Sequence, residues 1–95
     1  MGAKETHATI ERQLAGERAS ALARVTEGLE RALAELAREG REVRMRQLLL
    51  EEAAERLWFL VIQREAVGLT RHELMYDVLK VPMEVRRRMG PRPRR

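Results

Sequence analysis

Cysteine is absent from the 95 residues, which excludes disulfides, thiolate metal sites and a cysteine nucleophile. Side-chain packing alone must hold the fold. Serine occurs once, at Ser20, and histidine twice, at His7 and His72, so an activated nucleophile with a base beside it has few ways to form. Ser20 stands in an alanine-rich stretch without a glycine elbow, and a hydrolytic triad is set aside. There is no glycine-rich phosphate loop, no internal repeat and no alternating strand pattern. No catalytic activity, cofactor or metal is expected.

Long apolar runs are missing too. The longest, Leu57 to Ile62, has six residues, against the roughly 20 that a membrane-spanning helix needs. Residues 1–10 carry Lys4 and Glu5 and contain no apolar stretch, so a secretory signal is not expected and a cytoplasmic location is. Gly2 and Thr6 do match the Met-Gly-x-x-x-Ser/Thr lipidation pattern. Seventeen arginines against two lysines is the bias of a GC-rich bacterial genome, and that argues against such a modification.

Net charge is +4, but its distribution says more than its sum. Residues 1–83 hold 13 basic and 14 acidic side chains; residues 84–95 hold six arginines and one acid, Glu84. The body is close to neutral and the carboxyl-terminal end is basic. Arg86, Arg87, Arg88, Arg92, Arg94 and Arg95 are therefore the candidate contacts to nucleic acid, since arginines neutralise phosphates and release counterions. A solvating tail is the plainer reading, because the body supplies no matching basic face.

From Thr9 to Glu39 there is no proline, and Leu22, Val25, Leu29, Ala32, Leu33 and Leu36 recur at three- and four-residue spacing. This predicts one long amphipathic helix ending at Gly40. Upstream the stripe thins to Ile10 and Leu14, with Arg18 where the heptad calls for an apolar residue, so a break near Gly16 is an open alternative. A second helix is predicted from Glu42 to Val67. Its last third, with Leu57, Trp58, Phe59, Leu60, Val61 and Ile62, is apolar all round, which places it at the centre of a bundle or at an oligomer interface. Core burial is favoured over base stacking for Trp58 and Phe59.

Thr70 and Glu73 have capping-box spacing, with Leu69 and Leu74 at staple positions, so a third helix is predicted over Arg71–Leu79. Pro82 is expected to open a fourth, ending at Met89 before Gly90 and Pro91. His72, Glu73, Tyr76 and Asp77 form the best polar cluster on this helix, although capping accounts for Glu73. Glu51, Glu52 and Glu55 read as a solvated face, with Glu52 able to pair with Arg56. Gly68 to Leu74 has something of a helix-turn-helix opening, with Pro82–Met89 in the recognition position, but Met75 and the turn Leu79-Lys80 depart from that pattern.

Trp58, Val61-Ile62-Gln63-Arg64-Glu65-Ala66, Gly68-Leu69, Val81-Pro82, Glu84-Val85 and Arg88-Met89-Gly90 resemble a family of small bacterial proteins of unknown function. The resemblance covers about a third of the chain and leaves the first helix outside. It implies a short helical domain and assigns no site residues.

The expected fold is all-α: a long antiparallel helix pair with a two-helix carboxyl-terminal cap, one domain over residues 1–90 and a disordered basic tail over 91–95. Leu22, Val25, Leu29, Leu36, Leu57, Trp58, Phe59 and Val61 are its expected core and interface. The expected role is a non-catalytic interaction and oligomerisation module, a homo-oligomer with an unidentified protein partner and no membrane partner. The alternative is a nucleic-acid-associated protein working through the arginines.

Overall fold

The structure, a computed structural model, describes residues 6–92 and contains four helices: α1 (His7–Ala37), α2 (Val43–Ala66), α3 (Glu73–Leu79) and α4 (Met83–Arg87). No strand occurs among the described residues. The expected all-α arrangement is present, with α1 and α2 forming the long antiparallel pair.

The first helix is continuous through Gly16 and starts earlier than its apolar stripe suggests, because Thr6 caps it. The Thr6 hydroxyl oxygen accepts the Thr9 amide at 3.1 Å. Its apolar stripe supplies Leu29, Ala32 and Leu36 to the core, with Leu22, Val25 and Leu33 partly covered beside them. The facing stripe of α2 contributes Leu50, Ala53, Ala54, Leu57, Leu60 and Val61. Alanines at the contact let the two helices pack closely. Gly28 is also buried, and a Cβ there would lie 2.7 Å from Arg56 Nη1, so this glycine makes room for a guanidinium laid across the helix.

The turn between the helices, residues 38–42, is short and passes through Gly40 at φ +77°. Glu35 ties it down by accepting from both Arg38 and Arg41. Short connections of this kind make antiparallel neighbours.

At its other end α2 stops in a Schellman motif: Gly68 at φ +90° donates to the Glu65 carbonyl at 3.0 Å and Leu69 to the Arg64 carbonyl at 2.9 Å. The predicted capping box does not form. His72, not Thr70, is the N-cap of α3, it makes no side-chain cap, and the helix begins at Glu73. Nor does Leu74 staple to Leu69, for it is 75 % exposed. The cause is Arg64, whose guanidinium donates to the Arg71 carbonyl at 2.9 Å and to His72 Nδ1 at 3.2 Å. Those bonds hold residues 71 and 72 outside the helical path.

The same two-bond ending closes α3, with Lys80 where Gly68 stood. Lys80 donates to Asp77 and Val81 to Tyr76, and Lys80 takes φ +53°. Pro82 then acts as the N-cap of α4 rather than its first helical residue, and α4 ends at Arg87, short of the predicted Met89. Val81 and Val85 plug the core from this side.

With two helices making the seam, the molecule is elongated, 62 × 27 × 27 Å with a radius of gyration of 17.1 Å. A compact chain of this length would have about 12 Å.

Leu57 is fully buried whereas Trp58 is only partly covered. Leu57→Ala is expected to cost about 2 to 5 kcal/mol, and Trp58→Ala less, in thermal or urea melts; the reverse order would contradict the packing. Lys80→Gly relieves a left-handed backbone that costs an L-residue roughly 1 kcal/mol, so it should raise the melting temperature by a few degrees. A fall would show that the lysine side chain stabilises the turn.

Candidate interaction surfaces

An antiparallel pair buries one stripe of each helix and leaves the outward faces to solvent. On α2 that outward face follows three- and four-residue steps through Met45, Leu48, Glu52, Glu55, Phe59 and Ile62. Its middle is acidic and its two ends are apolar. Phe59 is 49 % exposed, and its ring lies 5.3 Å from that of half-buried Trp58. Of the expected core and interface residues, Leu29, Leu36, Leu57 and Val61 are buried, Leu22 and Val25 are partly covered, and Trp58 and Phe59 make this surface patch. Within one chain, then, the apolar end of α2 is not enclosed on all sides.

A second apolar surface belongs to α3. Met75, Tyr76 and Leu79 turn toward the core while Leu74 and Val78, one turn apart, are 75 % and 69 % exposed. Between α3 and the main pair runs an open groove lined by Thr26, Leu60, Leu74, Met75, Val78 and the stem of Arg64. On α1, Ile10 and Leu14 are further large apolar side chains partly open to solvent. Leu22 and Val67 share a cleft with Arg18 and Ala19, which marks where α2 leaves off beside α1.

The polar cluster expected on α3 is arranged differently from its i,i+4 spacing. His72 finds its polar partners on α2. Nδ1 accepts from Arg64, so Nε2 carries the hydrogen and donates to Glu65 at 3.3 Å. Tyr76 lies beneath Arg86, whose guanidinium carbon is 4.9 Å from the ring centroid. No group of three acidic or histidine side chains that could hold a metal ion occurs among the described residues. Ser20 is exposed on the surface of α1.

The arginines of the carboxyl-terminal end are drawn partly into the fold. Arg86 donates to the Val81 carbonyl at 3.0 Å. Arg92, expected in a disordered tail, is held across the acidic middle of α2: its Nε is 3.0 Å from Glu55, its amide donates to the same carboxylate at 3.2 Å, and Nη2 is 3.7 Å from Glu52. Glu52 also pairs with Arg56 as its spacing implied. Arg87 and Arg88 are exposed. Arg94 and Arg95 lie outside the described residues.

One clamp had no signal in the local sequence pattern. Arg46 of α2 grips Glu84 of α4 with both terminal guanidinium nitrogens, Nη2 at 2.6 and Nη1 at 3.2 Å. Hydrogen bonding to Arg46 holds the Glu84 carboxyl below the usual carboxylate range. A bond between residues 38 positions apart leaves no trace in helical periodicity.

These features define an all-α protein built on a single long helical hairpin whose outward faces carry apolar patches. No helix among the described residues is long and apolar enough to cross a membrane. The chain belongs to the Family of unknown function (DUF6665), whose model matches residues 3–95. The match takes in nearly the whole chain and includes the first helix, so the one-third coverage read from the motifs was too small. No curated protein and no solved structure matches the chain.

Because Glu84 is depressed in the folded state, its pairing with Arg46 stabilises above the carboxyl's unfolded pKa and is lost as pH falls through the lower, folded one. Arg46→Gln should therefore flatten the acid limb of a melting-temperature profile between neutral pH and pH 3. Parallel profiles for the variant and the parent would show that the clamp does not contribute in solution.

Proposed function

We propose that this chain is a non-catalytic helical module that associates with itself and with protein partners, in the cytoplasm of a bacterial cell, the setting that its arginine-over-lysine bias suggests. The observation that carries the reading is the set of large apolar side chains facing solvent on all three longer helices: Phe59 and Ile62 on α2, Leu74 and Val78 on α3, Ile10 and Leu14 on α1. Contiguous apolar patches of this kind mark binding surfaces in soluble proteins. Total accessible surface supports it. The chain exposes 7424 Å², against about 5,600 Å² for a compact monomer of its mass.

Catalysis draws little support, since His72 is committed to Arg64 and Glu65 and Ser20 has an exposed helical position. The nucleic-acid alternative rests on the arginines, of which Arg86 and Arg92 are already engaged within the chain. Six arginines also supply charge without an element that reads a groove.

Light scattering at micromolar concentration tests the self-association directly, and a mass above that of one 11.0 kDa chain is expected. Duplex DNA titrated at physiological salt is expected to bind weakly and without sequence preference. Tight, sequence-selective binding whose logarithm falls by about 0.9 per phosphate contact against log salt would transfer the assignment to nucleic acid.

A further inference from the structure

We propose that the carboxyl-terminal segment carries an electrostatic latch: docking of Arg92 on Glu52 and Glu55 of α2 and binding of the same arginine to a nucleic-acid phosphate exclude each other, so the chain holds back its own affinity for nucleic acid. This goes beyond the self-association proposed above and does not depend on it.

The sequence separates the two charges. Residues 84–95 carry six arginines and one acid, whereas α2 gathers Glu51, Glu52 and Glu55 close together. Glu52 and Glu55, three positions apart, share the outward side of α2. The fold then brings the two charges into contact. Val85 in the core and the Arg46–Glu84 pair fix α4 against α2, and the chain bends at Gly90 and Pro91 so that Arg92 comes to lie over that helix. Backbone and side chain are both engaged there. The Arg92 amide donates to one Glu55 oxygen at 3.2 Å, Nε lies 3.0 Å from the other, and Nη2 reaches toward Glu52 at 3.7 Å.

Competition follows from that geometry. A guanidinium recognises phosphate best with two parallel N–H groups, and the edge of Arg92 formed by Nε and Nη2 is turned toward the carboxylates. A phosphate that takes this edge must displace them. Docked, Arg92 and Arg56 only balance Glu52 and Glu55, so an approaching phosphate meets no net positive charge at this point. Released, Arg92 restores one counterion-releasing contact.

The neighbouring arginines behave differently. Arg86 is tied to the Val81 carbonyl and lies over Tyr76 as part of the fold, while Arg87 and Arg88 are exposed with the latch closed. The latch therefore biases one contact among several. With the Arg92 side chain 49 % exposed, the docked state is open to competitors and is screened by salt.

The experiment follows the anisotropy of a labelled DNA duplex of about 20 base pairs over a salt range of about 50 to 200 mM. Glu52→Gln/Glu55→Gln is compared with Glu27→Gln/Glu30→Gln, exposed positions on α1 that make the same change in charge, and circular dichroism confirms that each variant keeps its helices. The latch variant is expected to bind about two- to fivefold tighter than that control, the size of an exposed ion pair. Its slope of log affinity against log salt should be steeper by about 0.9, one phosphate contact. In an Arg92→Gln background the two pairs of substitutions are expected to have equal effects. Equal effects with Arg92 present would mean that Glu52 and Glu55 act only as bulk charge, and would overturn the latch. Absence of measurable binding by the latch variant at the lowest salt would overturn it as well. A second readout needs no DNA: exchange of the Arg92 Nε hydrogen with water, followed by nuclear magnetic resonance, should be slower in the parent than in Glu52→Gln/Glu55→Gln. Equal rates would show that Arg92 does not dock in solution.

Discussion

Everything in this molecule follows from one seam, the contact of Leu29, Ala32 and Leu36 with Leu50, Ala53, Leu57 and Leu60. Two helices in contact can each bury only one stripe, so a chain that places its core in a single seam must leave two broad faces in water. The run Leu57–Ile62 of α2 is apolar around its whole circumference, yet the seam takes in only Leu57, Leu60 and Val61 from it. Phe59 and Ile62 are surface residues by geometry rather than by chemistry. The same limit acts along the axis: α1, with 31 residues, is longer than α2, with 24.

Around the seam, charged hydrogen bonds position the smaller elements. Arg64 anchors the approach to α3, Arg46 anchors α4, Arg86 ties the turn at Val81 and Arg92 crosses α2 to reach Glu55. Most of these pairs are solvent-exposed, where ion pairs contribute little individually and are screened by salt. Val81 and Val85 supply the apolar attachment of α4, whereas α3 buries no residue fully. The third helix is thus the least firmly packed of the four, and it carries the most exposed leucine among the described residues, Leu74, with Val78 one turn on.

The parts of this architecture legible in the sequence are those governed by local spacing. Helical periodicity located α1 and α2 to within a few residues, Gly68 marked the end of α2, and Glu52 and Arg56 paired at four residues as expected. The failures share a cause. Thr70 and Glu73 have the right spacing for a capping box, but a side chain six residues before Thr70 pins the backbone elsewhere. The reach of Arg92 to Glu55 and of Arg46 to Glu84 depends on how the helices are brought together, which no short window of sequence records. Gly28 has no signal in its local spacing, since its reason is Arg56 lying across it. For the candidate surfaces, the sequence showed which residues were apolar and not which of them the seam would leave outside.

The five-residue turn at 38–42 also bears on the order in which the chain assembles. Contacts between α1 and α2 next to the turn close small loops and lose little chain entropy, so the hairpin can zip outward from Gly40. Attachment of α4 has to wait, since Arg46 and Glu84 are 38 residues apart, and their meeting becomes favourable once α2 is already a rigid helix. The first turns of α1 come last in this order, being furthest from the turn and beyond the end of α2.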